Sequence, residues 1–240
     1  MVTKNQIKLV ISLKQKKYRS QHRLFVVEGE KLVDELLKAG LQPYQIFVDD
    51  RVMAKKFDEA ELVAAKTLKQ MSSLTHPSGV LGVFHIMASR KENTADWTLV
   101  LDAVRDPGNL GTIIRLCDWF GIERLVCSKD TVDCYNPKVL QATMGSMARV
   151  SVVYADLESF LSETDVPVYG AYMDGEPVYG SKLPEKGILV MGNEANGVSA
   201  EVGKFITHKL AIPQFGALTA ESLNVATATA ILLNEIRRGQ

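Results

Sequence analysis

The sequence is poor in cysteine and histidine, and neither residue type is spaced for a metal site or a disulfide framework. Its three cysteines are an odd number without a CxxC pair, and its four histidines form no HExxH motif. We therefore expect neither a structural metal nor a fold that depends on disulfides. Thiols in this pattern are typical of a reducing compartment. The residues concerned are Cys117, Cys127, Cys134, His22, His76, His85 and His208.

The sequence also lacks a long apolar run. No stretch approaches the roughly 20 residues that are needed to span a bilayer. Residues 1–17 contain no apolar segment followed by a small-residue cleavage site, as a secretory signal would. From this pattern we expect a cytoplasmic protein without a membrane partner.

An excess of charge of one sign is missing as well. The 240 residues include 28 basic and 28 acidic side chains, and 46% of the residues are hydrophobic. This composition predicts a globular chain that is long enough to bury a core of its own. It argues against a protein that coats nucleic acid through a cationic surface.

The charges are nevertheless unevenly distributed. Residues 1–27 contain seven basic side chains and no acidic one, and the first carboxylate is Glu28. Such a run is either a solvated helix face or a local binding surface for phosphates, and the pattern leaves both interpretations open. In the second case the RNA-binding residues would be Lys14, Lys16, Lys17, Arg19 and Arg23.

Apolar strands alternate with helical patterns along the chain, which predicts an α/β fold. Residues 1–90 are predicted to form a small α/β domain, 91–97 a polar linker and 98–240 a second domain. Near-continuous apolar strands in the second domain indicate a mostly parallel sheet with helices on both faces. The predicted segments used below are helices at 5–22, 58–74 and 109–122, and strands at 98–104, 187–193 and 208–214.

Ligands of such sheets bind where the strands' carboxyl ends meet loops, and three loops there are rich in polar residues or glycine. The first loop leads into the helix at 109–122, for which Asn109 is a predicted N-cap. Apolar neighbours surround Arg115, so its stem is expected to pack inward while its guanidinium seeks an anion. The alternative is a surface arginine paired to Asp118 or Glu123.

The second loop follows the strand at 187–193. Gly192 would let a ligand approach the backbone, and Glu194 is an acid whose candidate partner is Arg115. A polar turn without function remains the alternative. The loop has neither a GxGxxG pattern nor a phosphate-binding lysine, which disfavours a dinucleotide or nucleoside triphosphate site.

The third loop precedes the last helix, for which Ser222 suits an N-cap and Gly239 a C-cap. Small and aliphatic residues occupy much of this helix's circumference, so it is expected to be covered on two sides. We interpret the second covering surface as a homodimer partner.

Taken in order, these motifs are N-x-G-x-x-x-R at 109–115, G-N-E-x-x-G at 192–197, I-P at 212–213 and S-L-N at 222–224. Together they resemble the SpoU/TrmH branch of the SPOUT RNA methyltransferases over about residues 98–238. The segments at 18–40 and 75–84 are similar to the L30e-like substrate-binding domain that often precedes this branch. A chance match of all these segments in order is very improbable.

The resemblance implies a C-terminal trefoil knot, a homodimer formed through the C-terminal domain, and S-adenosylmethionine as cofactor. It implies cofactor contacts at Gly192, Ile212 and Leu223, largely through backbone groups. The catalytic set that it implies is Asn109, Arg115, Glu194, Ser222 and Asn224. This chain departs from the family pattern at Cys117, at Ala195 and in the longer segment 215–221.

The implied activity is methylation of a ribose 2′-hydroxyl in a structured RNA, with ribosomal RNA favoured over transfer RNA because an L30e-like domain is suited to structured RNA. In this interpretation Arg115 stabilises developing alkoxide charge, since a guanidinium stays protonated and is a poor base. Glu194 would orient Arg115. The competing hypothesis is a non-catalytic RNA-binding or assembly factor, and the intact set Asn109, Arg115 and Glu194 favours the enzyme.

Overall fold

The structure is a computed structural model that describes residues 2–88, 96–216 and 222–238. The chain divides into two compact units. The first comprises the residues up to Ala88 together with Asp133–Ala148, and the second holds the rest. Residues 133–148 were expected in the second domain, yet their contacts group them with the first unit. The domain assignment itself stays a prediction, and residues 91–95 of the predicted linker lie outside the described residues.

Helices and strands alternate along the chain, as the sequence predicts. Up to the predicted linker the elements are α1 (Lys4–Ser12), α2 (Lys16–His22), β1 (Leu24–Glu28), α3 (Glu30–Lys38), β2 (Pro43–Val48), α4 (Arg51–Lys56), β3 (Glu61–Leu62), α5 (Ala65–Met71) and β4 (Val80–His85). They continue with β5 (Thr98–Leu101), α6 (Pro107–Trp119), β6 (Arg124–Ser128), α7 (Pro137–Thr143), β7 (Ser151–Ala155), α8 (Leu157–Ser162), β8 (Val168–Pro177), β9 (Ile188–Met191), α9 (Ala200–Gly203), β10 (His208–Ala211) and α10 (Val225–Arg238).

The first unit contains a four-stranded sheet in the order β1-β4-β2-β3. Strand β4 is antiparallel to both of its neighbours, and β3 is parallel to β2 at the edge. Apolar side chains of α1, α5 and the sheet form one buried cluster that includes Leu13, Phe47 and Leu68. This cluster is the core that the apolar pattern of residues 1–90 predicts.

Two predicted helices of the first unit were wrong in extent. The helix expected at 5–22 is two helices, because the chain turns after Ser12 and buries Leu13, which is 1% exposed. Of the helix or helices expected at 58–74, the structure has only α5, since residues 61–62 pair with β2 instead. Two residues are too few to show the alternation that identifies a strand.

Arg19, one of the predicted RNA-binding residues, is buried in the first unit. Its Nη1 donates to the carbonyls of Leu13 and Lys14 at 2.9 and 2.8 Å, and its Nη2 donates to the Asp133 carboxylate at 2.5 Å. Its side chain is 5% exposed, so its guanidinium is not available to a phosphate. Assigning Arg19 to RNA binding was therefore wrong: it joins residues 13–14 to the segment that begins at Asp133.

The other four predicted RNA-binding residues are exposed. Lys14 also donates from Nζ to the carbonyl of Ser72 at 2.6 Å, which ties the end of α1 to the end of α5. Lys16, Lys17 and Arg23 lie on or directly after α2. Their contact with RNA stays a prediction.

The second unit is built on a six-stranded sheet in the order β10-β8-β9-β5-β6-β7, and every neighbouring pair is parallel. Central strand β5 is fully buried along Leu99, Val100 and Leu101. Helices surround the sheet, and α10 packs against α6. The predicted parallel α/β architecture is thus confirmed, whereas the trefoil knot stays a prediction.

The first described residues after the predicted linker belong to the second unit. Trp97 is 2% exposed, and its indole Nε1 donates to the carbonyl of Pro184 at 3.1 Å. Asp96 forms an ion pair with Arg237 of α10 at 2.6 Å. The last two residues of the predicted linker thus make contacts within the second unit, and the bounds of the linker stay a prediction.

Two further expectations concern membranes and metals. Across residues 2–88, 96–216 and 222–238, no helix has both the length and the apolar character to cross a membrane. In those same ranges no group of three or more histidine, cysteine or acidic residues is arranged to hold a metal ion.

Replacing Arg19 by alanine is expected to lower the free energy of unfolding by about 3 kcal/mol, because removal of one partner leaves Asp133 and two carbonyls without their donor. The matched control is Lys17→Ala on the exposed side of α2, which should change stability by less than about 0.5 kcal/mol. Urea unfolding followed by circular dichroism measures both variants. Equal stability of the two variants would contradict the structural role of Arg19.

Candidate active site

Asp106 caps helix α6. Its Oδ1 accepts a hydrogen bond from the backbone N–H of Asn109 at 2.8 Å. Pro107 occupies the first helical position, where the missing N–H has no helical partner to lose. The prediction that Asn109 caps this helix was wrong, because the Asp-Pro pair already takes that position. The side-chain amide of Asn109 is consequently available to other loops.

The loop after β9 closes on itself. Backbone hydrogen bonds join Asn193 N to Gly197 O at 2.8 Å and Gly197 N to Asn193 O at 2.9 Å. A Cβ added at Gly192 would lie 2.1 Å from the carbonyl carbon of Gly197 and 2.2 Å from the N of Val198. The loop's own backbone therefore requires glycine at 192. The expected contact between Gly192 and a cofactor stays a prediction.

Strands β5 and β9 are parallel neighbours, with Leu101 opposite Met191 at their carboxyl ends. The loops that follow these strands therefore start side by side. One leads to α6 and Asn109, and the other carries Glu194. This register brings together two of the three loops that the sequence singles out.

Three residues of the predicted catalytic set are joined by hydrogen bonds. Asn224 Nδ2 donates to Asn109 Oδ1 at 2.9 Å, and Asn109 Nδ2 donates to Glu194 Oε1 at 2.9 Å. Glu194 is exposed, so one oxygen is held by an amide while the carboxylate remains open to a substrate group. An ionised carboxylate is purely an acceptor, and this arrangement can orient a hydroxyl or a cationic donor.

Asn224 also caps α10. Its Oδ1 accepts from the backbone N–H groups of Ala226 and Thr227 at 2.9 and 3.2 Å. The prediction that Ser222 caps this helix was wrong, because the helix begins at Val225 and Asn224 directly precedes it. Ser222 is exposed, and its place in the site stays a prediction. The predicted C-cap, Gly239, lies outside the described residues.

Arg115 does not join this network. Six residues along a helix are about one and two-thirds turns, so Arg115 leaves α6 on a different side from Asn109. The side chain is exposed, and it forms no ion pair with any residue of 2–88, 96–216 or 222–238. The expected pairing with Glu194 is therefore wrong within one chain. The alternative pairing with Asp118 or Glu123 is not formed either, and the Asp118 carboxylate instead accepts from Arg149 Nε at 3.0 Å.

The residues expected to contact the cofactor fit an adenosine-containing group. Gly192 follows β9 and Ile212 follows β10, so both lie at the carboxyl ends of parallel strands, where ligands of such sheets bind. Leu223, directly before the Asn224 cap, is half exposed and offers an apolar surface. Backbone groups and apolar side chains suit the purine ring of such a group. These contacts stay predictions, and residues 217–221 of the longer segment lie outside the described residues.

Cys117, where the chain departs from the family pattern, is a core residue. It is fully buried in α6. Burial in apolar surroundings raises the pKa of its thiol, so the group stays protonated at neutral pH. Cys117 therefore packs as a small apolar side chain, and it is unsuited to act as a nucleophile.

The sequence motifs pointed to Asn109, Glu194 and Asn224 but missed two neighbouring residues. Asn193, inside the G-N-E motif, donates from Nδ2 to the carbonyl of Ala103 at 2.7 Å. Ala103 has a φ of 57°, an unusual conformation for a residue with a side chain. The position of Asn193 in the motif could have signalled its role. Nothing in the sequence signals the conformation of Ala103.

Replacing Gly192 by alanine is expected to destabilise the second unit by about 1–3 kcal/mol, because the new methyl group overlaps the Gly197–Val198 backbone. Gly216→Ala is the matched control, since a Cβ there meets nothing within 4 Å. Thermal unfolding followed by circular dichroism compares the two variants. A Gly192→Ala protein as stable as the control would show that the loop does not require glycine.

Comparison with known families gives two matches that cover most of the chain. Residues 96–234 match the SpoU rRNA Methylase family, and residues 4–82 match the MRM3-like substrate binding domain. The chain is 35% identical over 230 residues to the 23S rRNA (guanosine(2553)-2′-O)-methyltransferase RlmP of Bacillus subtilis, covering 92% of each protein.

Two solved structures resemble the whole chain. One, from Porphyromonas gingivalis and ascribed to the TrmH family, superposes with a TM-score of 0.90 at 40% identity and covers 100% of both chains. The other is an AdoMet-bound rRNA methyltransferase from Sinorhizobium meliloti, with a TM-score of 0.84 at 31% identity, covering 100% of this chain and 96% of that one. These likenesses agree with the motifs at Asn109, Glu194 and Asn224, and the chain belongs to the SpoU rRNA methylase family of methyltransferases.

Proposed function

We propose that this methyltransferase transfers the methyl group of S-adenosylmethionine to a ribose 2′-hydroxyl of ribosomal RNA. The observation that carries the proposal is the hydrogen-bonded set Asn109, Glu194 and Asn224 at the carboxyl ends of β5 and β9. A protein that only binds RNA has no need to hold a carboxylate in this way. The Bacillus subtilis relative is named as a 2′-O-methyltransferase of 23S rRNA, and it supports ribosomal RNA as the substrate.

The chemical difficulty lies with the acceptor. S-adenosylmethionine supplies a methyl group on a sulfonium centre, which is already activated for transfer. The acceptor is a neutral alcohol, so the protein has to align the 2′-hydroxyl and favour loss of its proton. Glu194, held by Asn109, is an acceptor that can orient a donor of the substrate.

Arg115 is the residue that we assign to the developing alkoxide. A guanidinium remains charged, and its planar fork suits a phosphate and an alkoxide together. Because Arg115 is exposed and unpaired among the described residues, its guanidinium is free to meet the RNA. Ser222 and Asn224 would border the cofactor, with Gly192, Ile212 and Leu223 providing contacts to it.

The first unit is proposed to bind the same RNA through its exposed basic residues. Lys14, Lys16, Lys17 and Arg23 lie around α2, where no acidic residue precedes Glu28 in the sequence. Each phosphate contact adds a salt-dependent contribution to affinity without reading sequence. We also propose a cytoplasmic location, by likeness to the Bacillus subtilis relative, which is named for its action on 23S rRNA.

A homodimer through the second unit is also proposed. Trp119 at the end of α6 is 83% exposed. Tryptophan is enriched at the centres of protein interfaces. Helix α10 packs beside α6, so the two helices together offer a surface to a second copy.

The substrate is tested by mapping ribose methylation across total RNA with and without the gene. We expect one ribosomal site to lose its 2′-O-methyl group in the deletion strain and to regain it when the gene is returned. An unchanged map of ribosomal RNA together with loss at a transfer RNA position would replace the proposed substrate. An unchanged map of both RNA classes would contradict the activity.

Arg115→Ala is expected to bind S-adenosylmethionine almost normally but to lose at least about a hundred-fold in methyl transfer, because a charged donor to the developing alkoxide is removed. Calorimetry measures cofactor binding, and incorporation of a labelled methyl group into RNA measures the rate. Arg115→Lys keeps the charge without the planar fork, and it should recover only part of the rate. A rate close to that of the unaltered protein would remove Arg115 from the mechanism.

Trp119→Glu is expected to shift the protein from a dimer to its 26.5 kDa chain mass in light scattering, since a carboxylate would be buried in the interface. The control is Val52→Glu in the first unit, where the wild-type side chain is 69% exposed. That variant should remain dimeric. An unaltered protein that is already monomeric at micromolar concentration would refute the dimer.

A further inference from the structure

Asn193 lies between the glycine and the glutamate of the G-N-E motif and has no role in the site predicted from sequence. We propose that Asn193 is a positioning residue that sets the Glu194 carboxylate against Asn109 for methyl transfer. This role rests on the proposed function, since it concerns the same site and reaction.

The side chain of Asn193 uses its full hydrogen-bonding capacity. Its Oδ1 accepts from the backbone N–H groups of Ala195 and Asn196 at 2.9 and 3.2 Å. Its Nδ2 donates to Ala103 O at 2.7 Å and to Glu194 Oε2 at 3.4 Å. An asparagine amide has two acceptor positions and two donors, so all four are occupied here. The contacts of Oδ1 therefore stabilise the 193–197 loop, whereas Nδ2 binds Ala103, which lies outside that loop.

The strongest donor contact crosses from one loop to the other. Ala103 lies two residues after β5, and its carbonyl is oriented by a left-handed backbone conformation with a φ of 57°. Such a conformation costs an alanine free energy and persists where surrounding contacts hold it. The N–H of Ala103 donates to Ser128 Oγ at 2.9 Å, so both the N–H and the carbonyl of this residue are hydrogen-bonded.

This link joins the two segments that carry the Asn109–Glu194 pair. From Ala103 the chain runs to the Asp106 cap and to Asn109, while from Asn193 it runs directly to Glu194. Two further hydrogen bonds join these segments at their ends, from Ser199 N to Asp102 Oδ2 at 2.7 Å and from Asp102 N to Met191 O at 2.9 Å. The Nδ2 contact to Ala103 is the link made by the residue directly before Glu194, so its loss acts where the carboxylate is placed. A misplacement of about 1 Å in such a constellation can lower a rate about a hundred-fold.

Asn196 offers a matched control in the same loop. Its side chain is exposed and forms no hydrogen bond with any described residue, while its backbone N–H serves Asn193. Asn196→Ser therefore changes an asparagine in the loop without changing the link to Ala103. Asn193→Asp keeps Oδ1 for the loop amides and replaces the Nδ2 donor by a carboxylate oxygen. Asn193→Ser adds no charge, and its hydroxyl can still accept from the loop amides, but Oγ ends one bond short of the Nδ2 position that contacts Ala103.

The first measurement separates rate from cofactor binding. We expect Asn193→Asp and Asn193→Ser to lower kcat about ten- to a hundred-fold while KM for S-adenosylmethionine changes by less than about three-fold. Asn196→Ser should resemble the unaltered protein in both. The proposal is overturned if the Asn193 variants match the control. It is also overturned if kcat and cofactor affinity fall together with the thermal midpoint, because that pattern describes a purely structural residue.

A double-mutant cycle tests whether Asn193 acts through Glu194. If it does, Asn193→Ser should have little further effect on kcat in a Glu194→Gln background, since the group that it positions is already altered. Independent effects, seen as fold-changes that multiply, would overturn the proposal. Asn193→Asp provides a second arm should the serine variant fail to fold.

A crystal structure of either Asn193 variant decides the point without reference to activity. We expect the Glu194 carboxylate to leave its 2.9 Å contact with Asn109 Nδ2. If that contact is retained, Asn193 does not position Glu194. If the unaltered protein methylates no RNA, the proposed function fails, whereas this comparison still settles the role of Asn193.

Discussion

The parallel pairing of β5 with β9 at the centre of the six-stranded sheet is the constraint on which the site depends. Both strands are buried, and their register sets Leu101 opposite Met191. In a parallel pair the carboxyl ends lie at one edge, so the loops after the two strands emerge together. Asn109 and Glu194, 85 residues apart in the chain, meet because of this register.

On this sheet, the side-chain amides of three asparagines position Glu194 and its loop. Asn109 is held by Asn224 and in turn holds Glu194, while Asn193 joins the loop of Glu194 to Ala103. A hydrogen bond between neutral groups contributes only about 1 kcal/mol to stability, and one to a charged group about 1.5–3 kcal/mol. Together these hydrogen bonds hold the exposed Glu194 carboxylate in a defined orientation. Alignment of this kind is what a methyl transfer requires. Arg115, by contrast, is exposed and forms no ion pair within residues 2–88, 96–216 and 222–238.

The first unit shows how a charge pattern can mislead. The acid-free stretch up to residue 27 contains both exposed cations and one buried arginine, and the sequence does not distinguish them. Arg19 is buried because two carbonyls and Asp133 receive its guanidinium, and Asp133 lies 114 residues away. Only a contact between distant segments reveals that one predicted RNA-binding residue is structural.

Local sequence patterns were enough to predict the fold class and to identify the family. Apolar strands alternating with helical patterns predict the parallel sheet, and the ordered motifs around Asn109, Glu194 and Asn224 identify the family. These features follow from local periodicity and residue type, which a sequence displays directly. The tertiary structure alone decided which residue caps each helix, that Arg115 does not reach Glu194 within one chain, and that Asn193 binds Ala103. Those outcomes depend on backbone direction and on contacts between residues far apart in the chain, which strand register and helix geometry set.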